Sequence, residues 1–192
     1  GANTVTAAND GILSFIFVKR NGYDTEPVTV DVKVVGGKAI PFYVSGQTED
    51  QDWENAIKKM EDTYVQLVSD RVLITLPSRD YVRYPIEDVE AMFETIHKMI
   101  DLDDQLAGFD DSSPENMRTR NRLNYLVDVY TPRPESDKYY AYAGEYFIGM
   151  KRDNFTALTR DLGTEWGYWH ETGHTYQQRS WMFGSIVEIQ VN

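Results

Sequence analysis

Three residues within one five-residue window carry the chemistry of this sequence: His170, Glu171 and His174, which spell H-E-x-x-H. On a helix, residues at i and i+4 are offset by about 40° around the axis and stand one turn apart, so both imidazoles reach a single metal ion. Glu171 lies at the edge of that face. From there its carboxylate takes a proton from a water that the metal has activated, the general-base role that such zinc hydrolase sites require. Random shuffling of this composition produces the pattern roughly 0.003 times per chain. The plainer alternative is a surface helix that carries two histidines by chance.

Two histidines do not complete a catalytic zinc site, which takes three protein ligands and keeps one position open. Glu188 is the leading candidate for the third. It follows His174 closely enough for the motif helix to end near 181–184 and for a second helix to return beside it. Its neighbours Ile186, Val187, Ile189 and Val191 are apolar, so a carboxylate among them is costly unless something compensates it, as coordination does. The alternative places Glu188 on the exposed face of a two-sided helix. Asn192, one turn further on, is a candidate to bond the other ring nitrogen of a ligand histidine. An oxyanion donor is also needed. Tyr168 and Tyr176 are near in sequence, and the choice between them stays open.

The elements that must position these residues are legible in outline. Asp161 and Thr164 offer an N-cap and Glu165 suits the first helical turn, so the motif is expected on a helix. Upstream, residues 12–18 are rich in β-branched and aromatic types and run into the Asn21-Gly22 turn signal. Residues 28–34 alternate apolar and polar with period two, and 39–44 follow a Gly-Gly turn, so an antiparallel β-rich beginning is expected, with Pro41 at an edge or bulge. From Thr48, Trp53, Ala56, Ile57 and Met60 recur at helical spacing. Residues 64–67 and 71–76 flank a hairpin signal at Ser69-Asp70, closed by Pro77. After Pro85 the longest helical pattern places Val89, Met92, Phe93, Ile96, Met99, Ile100 and Leu106 on one stripe, and it stops at Gly108. His97, beside that stripe, reads as a boundary histidine half covered by neighbours rather than a metal ligand. Asp101, Asp103, Asp104, Asp110 and Asp111 lack the spacing of a calcium loop and read as a solvated acidic face. Beyond the polar loop at 109–121 a strand is expected over 123–130. Residues 139–150 hold four of the 13 tyrosines, which suit either a core strand or a cleft that stacks rings on sugar or peptide.

Composition bounds the rest. A chain of 192 residues has ample length for a core, and 41% hydrophobic with 26% charged residues is a globular balance. The formal net charge of -12 argues against nucleic acid or an anionic membrane surface as partner, since both need a basic patch. There is no cysteine, which excludes disulfides and thiolate zinc sites. No apolar run approaches the ~18 residues of a membrane span. The chain opens on Gly1-Ala2-Asn3 rather than Met, which suggests an excised or processed fragment, from which any signal peptide would already be gone.

Residues 169–178, Trp181 and the 188–192 segment Glu-Ile-Gln-Val-Asn resemble the enhancin-type, mucin-degrading zinc metallopeptidases, of the gluzincin kind. Residues 28–44, Trp53 and 67–77 also resemble the β-rich start of that module. The resemblance implies zinc ligands His170, His174 and Glu188, Glu171 as general base, and secreted or cell-surface peptidases acting on glycoproteins such as mucins. The family's module continues past its third ligand, whereas this sequence ends four residues after Glu188. That implies an incomplete cleft, and a fragment that binds zinc poorly or folds without activity. The expectation is therefore an α+β fold, with a β-rich part at 1–82 and a mainly helical zinc-site part at 83–192. Its expected function is that of a zinc-dependent endopeptidase. The rival readings are a glycan-binding module with a vestigial metal site and a zinc peptidase of other specificity.

Overall fold

The computed structural model describes residues 4–8, 11–13, 29–60, 63–128, 141–144, 147–151, 165–178, 182–184 and 186–191. The chain divides into two units, Gly1–Lys38 and Ala39–Asn192. In the first unit the described residues form no helix or strand. Val30, Val32 and Val34 are all exposed, so the alternating run expected as a strand is not one. Alternation states what a strand needs on each face, but a strand without pairing neighbours has no ladder to hold it. Most of the expected first strand and the Asn21-Gly22 turn lie outside the described residues.

The second unit is built on a mixed sheet, giving the α+β class. Its described strands are β1 (Phe42–Val44), β2 (Tyr64–Val68), β3 (Val72–Pro77), β4 (Leu123–Asp128), β5 (Ala141–Ala143) and β6 (Ile148–Lys151). They lie in the order β1-β2-β3-β4-β6-β5. β1, within the expected third strand, pairs β2 in parallel. The helix α1 (Asp50–Lys58) provides the crossover that a parallel pair requires. The hairpin between β2 and β3 forms as expected, with the Ser69 N–H donating to the Val72 carbonyl at 2.9 Å. β3, β4 and β6 are parallel, and β5 returns antiparallel on β6 as the outer strand. Opposite Tyr142 on β5 stands Gly149. A Cβ there would fall 2.2 Å from the tyrosine ring, so glycine lets that ring lie across the sheet.

After the short helix α2 (Ser78–Arg83), α3 (Val89–Ala107) covers the sheet. Asp88 caps it by accepting from the Ala91 N–H at 2.9 Å, and Gly108 ends it in the left-handed region at φ 76°. The stripe from Val89 to Ile100 is buried as its period requires. The last turn departs from it: Leu106 is 88% exposed, while Asp104 is fully buried. Arg71 explains the reversal, for its Nη2 lies 2.6 Å from Asp104 Oδ2 and its Nη1 pairs with Asp101. Tyr176 donates its hydroxyl to the other Asp104 oxygen at 2.9 Å. The acidic residues at this helix end are thus partly a buried ion-pair network rather than a solvated face. His97 sits at the boundary, its ring stacked on Phe93 and its Nε2 2.9 Å from Ser69 Oγ.

Asp103 lies beside that network with a buried Oδ2 that has no hydrogen-bond partner among the described residues. Burial, then the neighbouring charge of Asp104, pushes its carboxyl up to about 6 from 3.8. A raised carboxylate favours its neutral form in the fold, so its contribution is intact below the unfolded pKa and is lost as pH climbs through 3.8 to about 6. Asp103→Asn is therefore expected to match the wild type near pH 4 and to exceed it by roughly 1–2 kcal/mol at pH 7, allowing for partial solvent screening. Urea denaturation at both pH values measures the difference.

Candidate metal centre

The helix α4 (Trp166–His174) carries the motif. Its residue preceding the first turn is Glu165, which makes no side-chain cap, and the expected caps Asp161 and Thr164 lie outside the described residues. The helix is shorter than expected. Beyond His174 the Thr175, Tyr176 and Gln177 N–H groups bond three residues back, to Thr172, Gly173 and His174. That tighter 3-10 winding ends the α-helix and redirects the chain.

Rotation of α4 is set by its buried face. Tyr168 is 1% exposed and packs against Tyr125 of β4, with ring centroids 6.4 Å apart. Thr172, in the variable part of the motif, is fully buried, and its Oγ1 shares a hydrogen bond with the Tyr125 hydroxyl at 2.7 Å. Burial raises the Tyr125 pKa, which keeps that phenol a neutral hydrogen-bonding group. With Tyr168 and Thr172 turned inward, the histidines, each two residues on and so about 200° further round the helix, stand on the opposite face.

There the donors converge. His170 Nε2 lies 3.2 Å from His174 Nε2 and 3.0 Å from Glu188 Oε2, and His174 Nε2 is 3.3 Å from the same oxygen. Four-coordinate zinc with bonds of about 2.0–2.1 Å separates its donors by roughly 3.3 Å. Two imidazole nitrogens and a carboxylate oxygen at these separations fit that ion in both chemistry and span. Trp166 lies over the His170 ring, with centroids 4.5 Å apart.

Glu188 stands on α5 (Val187–Gln190), a single helical turn. Its side chain is 75% exposed, so the desolvation cost expected from its apolar sequence neighbours does not arise. The hydrogen bond from His170, with the two histidines' positive field, holds its carboxyl below the usual carboxylate range. Glu171 differs. Burial raises its pKa, opposed by the charge of His174 and His170 and by a backbone hydrogen bond from Ala143 on outer strand β5. The two carboxylates of the site are thereby pushed apart, one strongly ionised and the other poised higher.

The remaining candidates fall elsewhere. Tyr168 is in the core, the Tyr176 hydroxyl is committed to Asp104, and Asn192 lies outside the described residues. Gln177 was not singled out in the sequence, yet it contacts both His174 and the Val187 carbonyl. Its only sequence signal is its position three residues after the second motif histidine.

Comparison with known proteins places this architecture among metallopeptidase catalytic domains. A functionally unknown conserved protein from Bacillus anthracis str. Ames superposes with TM-score 0.73 at 22% identity, over 83% of this chain and 33% of that one. The M60 catalytic domain from Clostridium perfringens ZmpC, in complex with the sialyl T antigen, does so with TM-score 0.66 at 17% identity, over 81% of this chain and 32% of that one. The chain belongs to the peptidase M60 family, enhancin and enhancin-like, whose sequence model matches residues 36–192. A TRPM8 channel-associated factor homolog from Xenopus laevis is 26% identical over 175 residues, which is 89% of this chain and 18% of that protein. The chain thus spans about a fifth of that curated relative and a third of the structures it resembles.

The buried Tyr125–Thr172 contact yields a direct test. Thr172→Val strands the Tyr125 hydroxyl and is expected to cost about 1–3 kcal/mol, the penalty for an unmade buried hydrogen bond. Tyr125→Phe added to it should recover part of that loss, and chemical denaturation of the two single variants and the pair measures the coupling.

Proposed function

We propose that this chain is the metal-binding part of a zinc-dependent endopeptidase acting on glycosylated proteins such as mucins. The convergence of His170, His174 and Glu188 within 3.0–3.3 Å, directly beside Glu171, carries this reading. His170, His174 and Glu188 would hold the zinc, which when bound would supply Lewis acidity to a water and to the scissile carbonyl. Glu171 takes the proton of the attacking water and returns it to the departing amine. Its half-buried setting raises its basicity towards working pH, while the Ala143 N–H orients the carboxylate. Among the described residues β5 is the last strand of the sheet on that side and lies beside α4, an edge on which an extended substrate can add by main-chain hydrogen bonds.

Membership of the enhancin-like family and the glycan-bound M60 domain among its structural relatives support the glycoprotein substrate class. Relatives from Clostridium perfringens ZmpB join an M60 catalytic domain to CBM51 or CBM32 domains, which supports a secreted or cell-surface setting. No helix among the described residues is long and apolar enough to cross a membrane. A second reading, a binding module with a vestigial metal site, takes its support from relatives named as channel-associated factors. An intact Glu171 weighs against it, because binding alone has no use for a general base.

Glu171→Gln in the whole protein is expected to keep its zinc and to lose at least about 100-fold in cleavage of a mucin-type glycoprotein, the scale of general-base catalysis. Undiminished cleavage would sink the mechanism. Glu188→Ala is expected to weaken zinc binding by more than the roughly 10–100-fold typical of an outer-sphere partner. Competition with a chelator reads this directly, and unchanged affinity means that the third ligand lies elsewhere.

A further inference from the structure

Gln177 touches both halves of the metal centre. Its Nε2 lies 2.6 Å from the Val187 carbonyl and its Oε1 lies 2.9 Å from His174 Nδ1. A backbone carbonyl only accepts, so the contact with Val187 fixes which end of the amide is the NH2. The oxygen end therefore faces His174. Because that oxygen also only accepts, Nδ1 must carry the imidazole proton, and Nε2 keeps its lone pair towards His170 and Glu188.

The other end of the same amide acts on the third donor. Val187 immediately precedes Glu188, and both stand on the single turn α5, which has no buried residue. Beyond its two histidine contacts, Glu188 is mostly in solvent. Little else of α5 is buried to fix the turn's distance from α4. Gly173 lies one turn before Gln177, and a Cβ on it would come within 3.2 Å of Val191 Cβ. The close approach of the returning segment thus uses the gap that Gly173 leaves on α4.

We infer that Gln177 is a positioning residue that sets the tautomer of His174 with one end of its amide and docks the Glu188 turn with the other. The inference rests on the His170, His174 and Glu188 centre proposed above. One side chain then couples the second ligand to the third.

Gln177→Met keeps the length of the side chain and removes both polar ends. In the metal-free chain, 15N NMR of the imidazoles is expected to find His174 protonated at Nδ1 in the wild type and a mixture of tautomers in the variant. An unchanged tautomer overturns the His174 half of the inference, whether or not metal binds. Chelator competition is expected to show about 10- to 100-fold weaker zinc binding in the variant, with the metal-free melting temperature unmoved. In a Glu188→Ala background the same substitution should lose only the part that acts through His174. An equal loss in both backgrounds overturns the docking half. Wild-type zinc binding that His170→Ala leaves untouched overturns the metal centre instead, so the two failures are separable.

Discussion

The hydrogen bond between Tyr125 and Thr172 is the constraint on which the rest of this structure turns. It joins two fully buried residues, one on a central strand and one inside the motif helix α4. A helix lying on a sheet can rotate about its axis at little cost if only apolar surface is involved. A buried polar pair removes that freedom, because any other rotation leaves two hydroxyls unmade in a low-dielectric interior. With α4 locked, the histidines stand on the face opposite Tyr168 and Thr172, and Glu171 comes to rest against the Ala143 N–H of strand β5.

The strongly acidic balance of the chain is handled by local arrangement. Asp104 is buried in full and held by Arg71 and Tyr176, which ties the end of α3 to the segment leaving the zinc helix. Burial of an ion pair alone is weak evidence for stability. Its value here is geometric, since Tyr176 follows His174 by two residues and is anchored to a different helix. Asp103, beside it, bears the cost of this arrangement in a carboxyl driven towards its neutral form.

Glu188 shows a different economy. Its carboxylate is exposed, and it meets the histidines from a single helical turn rather than from a packed helix. The two motif histidines are placed by α4, whose Thr172 is bonded to Tyr125 of the sheet. The turn that carries Glu188 is met by Gln177, from the segment that follows that helix. Metal affinity in such a site depends as much on how the donors are held in register as on their identity.

Much of this was legible in the residues themselves. The H-E-x-x-H spacing is a property of helical periodicity, and it held because His170 and His174 belong to one continuous helix. The hairpin at Ser69-Asp70, the buried stripe of α3 and its stop at Gly108 are likewise local, set by turn chemistry and period. What the sequence by itself could not determine were the relations between distant segments: that residues 29–34 lack a strand partner among the described residues, that β1 runs parallel to β2, and that Asp104 is buried rather than solvated. The same holds for Gln177, whose two partners lie three and ten residues away. Local periodicity reports which faces want burial, whereas partners are chosen by the free energy of the assembled fold. Only tertiary structure decides which polar atoms meet.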